Sequence, residues 1–227
     1  MSQSQTVSQK IKLLIFDCDG VLLDSSAIGN RVELEALKTL HIYINEEEYQ
    51  ERFAGITTEN VFQQIAHESG INISAQFLAN VEKKLLQTLE KEVKIIPHVY
   101  EALQQIELTK AVASNSNFDR LSKLLTSRNL MHFFNGYVFS ADMVSRPKPA
   151  PDLYLHAARK MLVSEKECLV IEDSITGIHA AKSAGMKVLG FINSEKPLPT
   201  EETKLLKAGA LKVFYDMREL PKLIHTV

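Results

Sequence analysis

The sequence predicts an α/β fold: a mostly parallel sheet with a small helical domain inserted after its first strand. Three observations support this prediction. Short apolar runs typical of buried strands alternate with segments of helical period, as they do in βαβ units. Residues 24–94 contain helical segments but no convincing strand. Polar residues follow the predicted strands at their carboxyl ends, where open α/β sheets bind their ligands.

The first strand is predicted in the apolar run that begins at Lys12 and leads into Asp17, Asp19 and Gly20. A short, nearly continuous apolar run is typical of a strand buried in a parallel sheet. Because side chains alternate across a strand, both aspartates are expected on the same side of the sheet. An Asp-Gly pair between apolar runs also signals a β-hairpin. The polar residues 24–26, which resemble a helix cap, and the helical period after them decide against the hairpin.

Four helices are predicted in the inserted segment, at residues 24–40, 46–53, about 57–70 and 74–92. In the first helix, apolar residues recur at every fourth position and form one face: Ile28, Val32, Ala36 and Leu40. The helical domain therefore spans residues 24–94, and residues 1–23 and 95–227 form the α/β core.

Beyond residue 95, predicted strands and helices alternate. The strands cover residues 110–113, 137–139, 168–171, 187–189 and 213–214. The helices cover residues 99–107, 118–127, 152–161 and 175–184. Pro97 is expected in the first turn of the helix at residue 99, where its missing N–H costs nothing. This alternation predicts βαβ units, with the helices connecting parallel strands.

Composition and charge limit the classes of partner. The 227 residues include 26 basic and 28 acidic side chains, a net charge of −2, so no basic surface for nucleic acid or membrane is expected. No apolar segment approaches the ~20 residues that cross a bilayer. Residues 1–9 lack the apolar region of a signal peptide, so a loose tail is expected there. Cys18 and Cys168, expected in interior strands, form no Cys-x-x-Cys pair, which favours reduced thiols and a cytoplasmic protein.

Four predicted strand ends carry polar residues: Asp17 with Asp19, Ser114 with Asn115, the loop that contains Lys148, and Glu172 with Asp173. Each has an ordinary explanation when taken alone: a Ser-Asn turn, a solvated loop lysine, and a cap for the next helix. In a parallel sheet these ends lie along one edge and can converge. Four carboxylates brought together would repel one another unless they were protonated or bridged by a cation. Oxygen ligands of this kind suit Mg²⁺, which also binds substrate phosphates.

The four motifs resemble those of the haloacid dehalogenase (HAD) superfamily. They read Asp17-Cys18-Asp19-Gly20-Val21, Ser114-Asn115, Lys148-Pro149 with Pro151-Asp152, and Glu172-Asp173-Ser174. The resemblance extends from Ile11 to about Leu220, and the inserted helices match the small mobile cap that this superfamily carries on a Rossmann-like core. Within the superfamily, the chain resembles the β-phosphoglucomutase-like sugar-phosphate phosphatases. The stretches 16–20, 129–134 and 156–160 resemble bacterial 6-phosphogluconate phosphatases.

The resemblance implies a Mg²⁺-dependent phosphatase that acts on a small sugar phosphate such as 6-phosphogluconate. Asp17 would be the nucleophile that forms an aspartyl-phosphate, and Asp19 would protonate the leaving oxygen and then activate water. Mg²⁺ would be held by Asp17, the backbone carbonyl of Asp19 and Asp173, with Glu172 nearby through water.

The resemblance also implies the groups that bind the phosphoryl oxygens and the rest of the substrate. Ser114 and Asn115 would orient these oxygens, and Lys148 would stabilise their charge. Arg31 and Arg52 of the cap could bind a substrate carboxylate, although exposed arginines are usually only solvated. The implied partner is a small phosphorylated metabolite, bound by a monomer or a weak homo-oligomer.

Particular residues argue against three alternative functions. Gly29 stands where the mutase members carry a histidine, which argues against a β-phosphoglucomutase-type mutase. A dehalogenase would not need an acid at Asp19. A non-catalytic phosphate-sensing module would have little reason to keep all four polar strand ends. His98 replaces a glycine that is frequent in the family, and it is expected to be a surface histidine.

Overall fold

The computed structural model describes residues 10–193 and 199–227, and its centre is a six-stranded parallel sheet. The strands are β1 (Leu13–Phe16), β2 (Thr109–Ser114), β3 (Val138–Ser140), β4 (Cys168–Glu172), β5 (Lys187–Phe191) and β6 (Val213–Phe214). Their order is β3-β2-β1-β4-β5-β6. Strand β1 pairs with β2 on one side and β4 on the other, so the order reverses at β1. Such a reversal is the point where open α/β sheets bind ligands.

Four helices lie between β1 and the rest of the sheet. They are α1 (Ser26–Thr39), α2 (Glu46–Phe53), α3 (Thr58–Ser69) and α4 (Ala75–Glu92). They enclose a small core of their own, built from Leu37, Tyr49, Phe53, Val61, Phe62, Ile65 and Val81. The second, third and fourth helices are N-capped by Asn45, Thr57 and Ser74, whose side chains accept a backbone N–H from the first turn.

In the described part of the chain after the inserted segment there are six further helices: α5 (Val99–Gln105), α6 (Phe118–Ser127), α7 (Asp152–Lys160), α8 (Ile175–Ser183), α9 (Pro199–Ala208) and α10 (Leu220–Leu223). Short 3₁₀ turns at residues 131–134, 141–143, 165–167, 217–219 and 224–226 complete the described regular structure. None of the described helices is long and apolar enough to span a membrane.

The two faces of the sheet are both buried, which explains the nearly continuous apolar runs of its strands. Successive residues of β1 point to opposite faces, so Leu14 and Phe16 enter one core cluster while Leu13 and Ile15 enter the other. The first cluster also contains Leu85 of α4, so the inserted helices pack against the same core as the sheet.

The predicted α/β class with a parallel sheet is confirmed, and the differences are local. The buried face of α1 is Val32, Glu33 and Leu37, not a strict four-residue stripe, because a helix has 3.6 residues per turn and such a stripe drifts sideways. Helices α9 and α10 are additional to the predicted elements. The division into residues 24–94 and two core segments stays a prediction. The tail expected at residues 1–9 lies outside the described residues.

Two predicted positions are wrong in detail. Pro97 precedes helix α5 instead of lying in its first turn, because His98, with a φ of +64°, is the N-cap residue. The His98 side chain is partly exposed, with Nδ1 4.0 Å from a carboxylate oxygen of Glu101. Cys18 lies just beyond the end of β1 instead of inside a strand, although it and Cys168 are both buried and unpaired.

Candidate active site

The carboxyl ends of β1, β2 and β4 bring most of the predicted site residues together. Asp17, Ser114 and Asp173 follow or end these three neighbouring strands, and the loop before α7 supplies Lys148. All four line one cavity of about 140 Å³, which residues of α1–α4 border on its other side. A cavity of this size fits a small metabolite better than a large ligand.

Lys148 is a buried cation at the centre of the site, not a solvated loop lysine. Its Nζ donates to Asp17 Oδ1 and to Glu172 Oε1, both at 2.7 Å, and the residue is 3% exposed. Nζ also lies 4.7 Å from the ring centroid of Tyr154. Burial alone would lower the pKa of Lys148, but the carboxylates of Asp17 and Glu172 raise it well above its ordinary value. The lysine therefore keeps its charge beside the predicted nucleophile.

Glu172 fixes Lys148 and the start of helix α8 at the same time. Its Oε1 accepts the hydroxyl of Tyr154 (2.8 Å) as well as Lys148, and its Oε2 accepts the backbone N–H groups of Asp173 and Ser174, both at 3.1 Å. The Ser174 hydroxyl also donates to Oε2 (3.0 Å) and accepts the N–H of Gly177. Both carboxylate oxygens are thus engaged by protein donors, which hold Glu172 in place beside Lys148.

Three carboxylates of the site lie close enough to share a metal ion. One oxygen each of Asp17, Glu172 and Asp173 falls within a mutual distance of 4.8 Å. Burial is the main reason that the pKa of Asp17 is raised to about 7, and the charges of Glu172 and Asp19 add to it. Burial and the charge of Glu172 raise the pKa of Asp173 well above its usual range. Buried carboxylates that resist ionisation in this way fit a cation with oxygen ligands, such as Mg²⁺.

Gly20 leaves the room that this cluster needs. Its backbone has a φ of +78°, and a Cβ built on it would lie 1.8 Å from Oδ2 of Asp173. Any larger residue would therefore both strain the turn and displace the Asp173 carboxylate. The glycine of the first motif is required by the fold of the site.

Asp19 is not one of the three clustered carboxylates, and its side chain is held by hydroxyl groups. Ser25 Oγ donates to its Oδ1 at 2.5 Å, while Ser116 (2.6 Å) and Ser114 (3.2 Å) donate to its Oδ2. Arg120 donates its Nε and Nη2 to the Ser116 oxygen, at 3.1 and 2.6 Å. Three hydroxyl groups thus hold the carboxylate of Asp19 in place, while its role in proton transfer and the metal contact of its backbone carbonyl stay predictions.

Asn115 joins the strand ends to the inserted helices. Its Nδ2 donates to the carbonyl of Gly55 (2.8 Å) and to that of Lys148 (3.0 Å), and its Oδ1 accepts the N–H of Lys148. A second bond of the same kind runs from Thr176 Oγ1 to the carbonyl of Ala54 at 2.9 Å. The contact predicted between Asn115 and a phosphoryl oxygen stays a prediction, since the side-chain amide has these other partners.

The two arginines predicted to read the substrate are not brought to the cavity. Arg31 pairs with Glu92, and Arg52 pairs with Glu48 and Glu68 on the surface. The polar side chains that α1–α3 place in the cavity wall are Ser26, Asn30, Glu33, Tyr49, Gln50 and Thr58. The sequence does not predict these residues, nor three further residues of the site: Tyr154, Ser116 and Arg120. Helical spacing carries a signal for part of this set, because Ser26, Asn30 and Glu33 follow one another at intervals of four and three residues, on one face of α1.

Comparisons with known proteins identify the family of the chain. The family model described as haloacid dehalogenase-like hydrolase matches residues 14–191. A 6-phosphogluconate phosphatase of Escherichia coli K12 is 26% identical over 215 residues, 94% of this chain and 95% of that protein. A fructose-1-phosphate phosphatase of the same bacterium is 30% identical and covers 76% of this chain and 92% of its own length. The crystal structure of a haloacid dehalogenase-like protein of unknown function from Agrobacterium tumefaciens C58 has a TM-score of 0.80 at 41% identity, covering 95% of this chain and 98% of the other.

Proposed function

Because the chain belongs to the haloacid dehalogenase-like hydrolases and is a phosphatase, we propose that it hydrolyses a small sugar phosphate with Mg²⁺ bound and Asp17 as a covalent nucleophile. The observation that carries the proposal is the buried Lys148, held at 2.7 Å from both Asp17 and Glu172. A cation fixed beside a carboxylate nucleophile is what the transfer of an anionic phosphoryl group needs.

The proposed reaction has two steps. In the first, a carboxylate oxygen of Asp17 forms a bond to phosphorus, the bond from phosphorus to the sugar oxygen breaks, and Asp19 gives its proton to that oxygen. In the second, Asp19 takes a proton from water, the water oxygen bonds to phosphorus, and the bond to Asp17 breaks to release inorganic phosphate. Lys148 compensates the phosphoryl charge in both steps, and Ser114 orients a phosphoryl oxygen.

Mg²⁺ would be held by Asp17, Asp173 and the backbone carbonyl of Asp19, and it would supply additional positive charge to the phosphoryl oxygens. The raised pKa values of Asp17 and Asp173 support this part of the proposal, because a bound cation would restore the ionised forms. Glu172 would stay a supporting residue, through Lys148 and bridging water.

The inserted helices 24–94 would act as the cap that excludes bulk water from the cavity. The relatives that act on 6-phosphogluconate and on fructose 1-phosphate support a sugar phosphate of about this size as the substrate. A phosphorylated metabolite as substrate, together with two unpaired cysteines, favours the cytoplasm as its location.

The test is phosphate release from a panel of sugar phosphates, with and without Mg²⁺. EDTA should abolish release and Mg²⁺ should restore it, and full activity in a metal-free preparation would contradict the metal requirement.

Asp17→Asn should remove turnover, because an amide does not attack phosphorus. Asp19→Asn should slow turnover by about 10²–10⁴-fold. Asp119→Asn, which changes an exposed aspartate paired with Lys123, is the matched control and should behave like the wild type. Turnover of Asp17→Asn close to the wild type would refute the covalent step.

A further inference from the structure

The part of the cavity wall that α1–α4 supply has an unusual charge balance. Among the described residues of these helices that line the cavity, Glu33 is the single charged side chain. The remaining polar groups are amides and hydroxyls, from Asn30, Tyr49, Gln50 and Thr58 among others. This wall therefore offers hydrogen-bond partners for hydroxyl groups and lacks a cation for a second anionic group.

Glu33 is a buried acceptor that keeps room for further donors. The residue is 9% exposed, and its Oε2 accepts the hydroxyl of Tyr49 at 2.6 Å. Burial raises the pKa of Glu33, while the hydroxyls of Tyr49 and Thr58 and the charge of Arg120 lower it and so favour the ionised carboxylate. An ionised carboxylate offers about four lone-pair sites, so the fixed donor Tyr49 leaves capacity for hydroxyl groups of a ligand.

Asn30 and Gln50 extend the same wall with amide groups. Asn30 Nδ2 donates to Gln50 Oε1 at 2.5 Å, which ties α1 to α2. This bond uses one hydrogen of Asn30 and one lone pair of Gln50. The carbonyl oxygen of Asn30 and the NH₂ group of Gln50 still have bonding capacity, and each suits a sugar hydroxyl, which both donates and accepts.

The arginine that does line the cavity serves other groups. Arg120 directs Nε and Nη2 at the Ser116 oxygen, and its Nη1 lies 3.4 Å from Glu82 Oε2. Arg120 is thus paired with Glu82 and Ser116, and it makes no hydrogen bond to Glu33. A substrate carboxylate in this part of the cavity would meet the like charge of the ionised Glu33.

We propose that this wall selects a sugar or polyol phosphate whose non-phosphorylated end is uncharged, and that Glu33 discriminates against aldonate phosphates. The inference rests on the proposed function and narrows its substrate class: hydroxyl groups at the far end bind Glu33, Asn30 and Gln50, and a carboxylate at that end is repelled. On this reading the chain differs in preference from its relative that acts on 6-phosphogluconate.

Three substrates that differ only at carbon 1 test the proposal. Glucitol 6-phosphate, glucose 6-phosphate and 6-phosphogluconate carry an alcohol, an aldehyde or its hemiacetal, and a carboxylate there. We expect at least one of the two neutral substrates to exceed 6-phosphogluconate about tenfold or more in kcat/KM, a difference of about 1.4 kcal/mol. A kcat/KM for 6-phosphogluconate equal to or above both neutral substrates would overturn the inference.

Two variants move the preference in opposite directions. Glu33→Gln should raise kcat/KM for 6-phosphogluconate relative to that for the neutral substrates. Asn30→Asp should lower this ratio further, because the new carboxylate adds a negative charge to the wall. Glu35→Gln, on the exposed side of the same helix, is the matched control and should leave the ratio unchanged. Unchanged ratios in both wall variants would contradict the role of Glu33. p-Nitrophenyl phosphate serves as a substrate without a sugar. If the protein hydrolysed neither this compound nor a single member of the panel, the proposed function itself would be contradicted.

Discussion

Replacing Lys148 with methionine tests the ion pairs at the centre of the site, because the change removes the charge and keeps most of the stem. The lysine side chain is 2% exposed and lies 2.7 Å from both Asp17 and Glu172. Breaking a buried ion pair by removing one partner costs about 3–5 kcal/mol, since the other charge stays buried. Two features favour the lower end of this range. The pKa of Asp17 is already about 7, so its carboxyl can take up a proton, and Tyr154 still donates to Glu172.

The expected loss is therefore about 3 kcal/mol of unfolding free energy, a large share of the 5–15 kcal/mol typical of a domain. Urea unfolding in EDTA measures it. Repeating the titration with Mg²⁺ should recover part of the loss, because a cation bound by Asp17 and Asp173 stabilises the folded state. Turnover should fall by about 10²–10³-fold, the usual effect of removing one group that stabilises the charge of a transition state.

Lys110→Met is the matched control for this experiment. Lys110 is partly buried, and its Nζ donates to the carbonyls of Ile106 (2.5 Å) and Leu108 (3.2 Å) away from the site. Its loss should cost about 1 kcal/mol and leave turnover unchanged. The reasoning would be refuted if Lys148→Met lost no more stability than Lys110→Met, or if it kept the turnover of the wild type.

Three further predictions follow from the same geometry. A Cβ at Gly177 would lie 1.7 Å from Glu172 Oε1, so Gly177→Ala should lower the unfolding free energy by about 1–3 kcal/mol and reduce turnover. At Gly29 a Cβ would meet nothing within 4 Å, so Gly29→Ala should raise the unfolding free energy by up to about 1 kcal/mol. Equal urea midpoints for the two variants would contradict both expectations. Burial raises the pKa of Cys168 to about 12 and that of Cys18 well above its usual range, so a thiol reagent at pH 8 should label neither until urea is added; rapid labelling of the folded protein would show that a thiol is accessible. Because the chain has no side chain at Gly29, it should release phosphate from β-glucose 1-phosphate faster than it converts this sugar to the 6-phosphate, and a faster isomerisation in a side-by-side assay would favour a mutase.

The sheet could be predicted from the sequence because its signal is local. Runs such as 13–16 and 168–171 are apolar throughout, as strands covered on both faces must be, and the helices between them have caps and glycine ends. Parallel strands then bring their carboxyl ends to one edge by geometry alone. The positions of Asp17, Ser114 and Asp173 around one cavity follow from that edge, and no side-chain detail was needed to expect them together.

The substrate side of the site was harder to predict, because there the relevant face depends on how four helices pack. Arg31 has the charge expected for a substrate contact, but its neighbour Asn30 lines the cavity, and one residue along a helix turns the side chain by about 100°. Tyr154 lies on the buried side of α7, where its sequence pattern is that of an ordinary core aromatic. Only the bond of its hydroxyl to Glu172 distinguishes it.

The two hydrogen bonds from Asn115 and Thr176 to the carbonyls of Gly55 and Ala54 work as a latch between the strand ends and the turn that joins α2 to α3. Exchanging two such bonds for bonds to water costs about 1–3 kcal/mol, a small barrier to the opening that the proposed cap function requires. Its donors belong to the catalytic edge, and its acceptors are backbone carbonyls. Side chains of the inserted helices can therefore vary while these two hydrogen bonds stay the same.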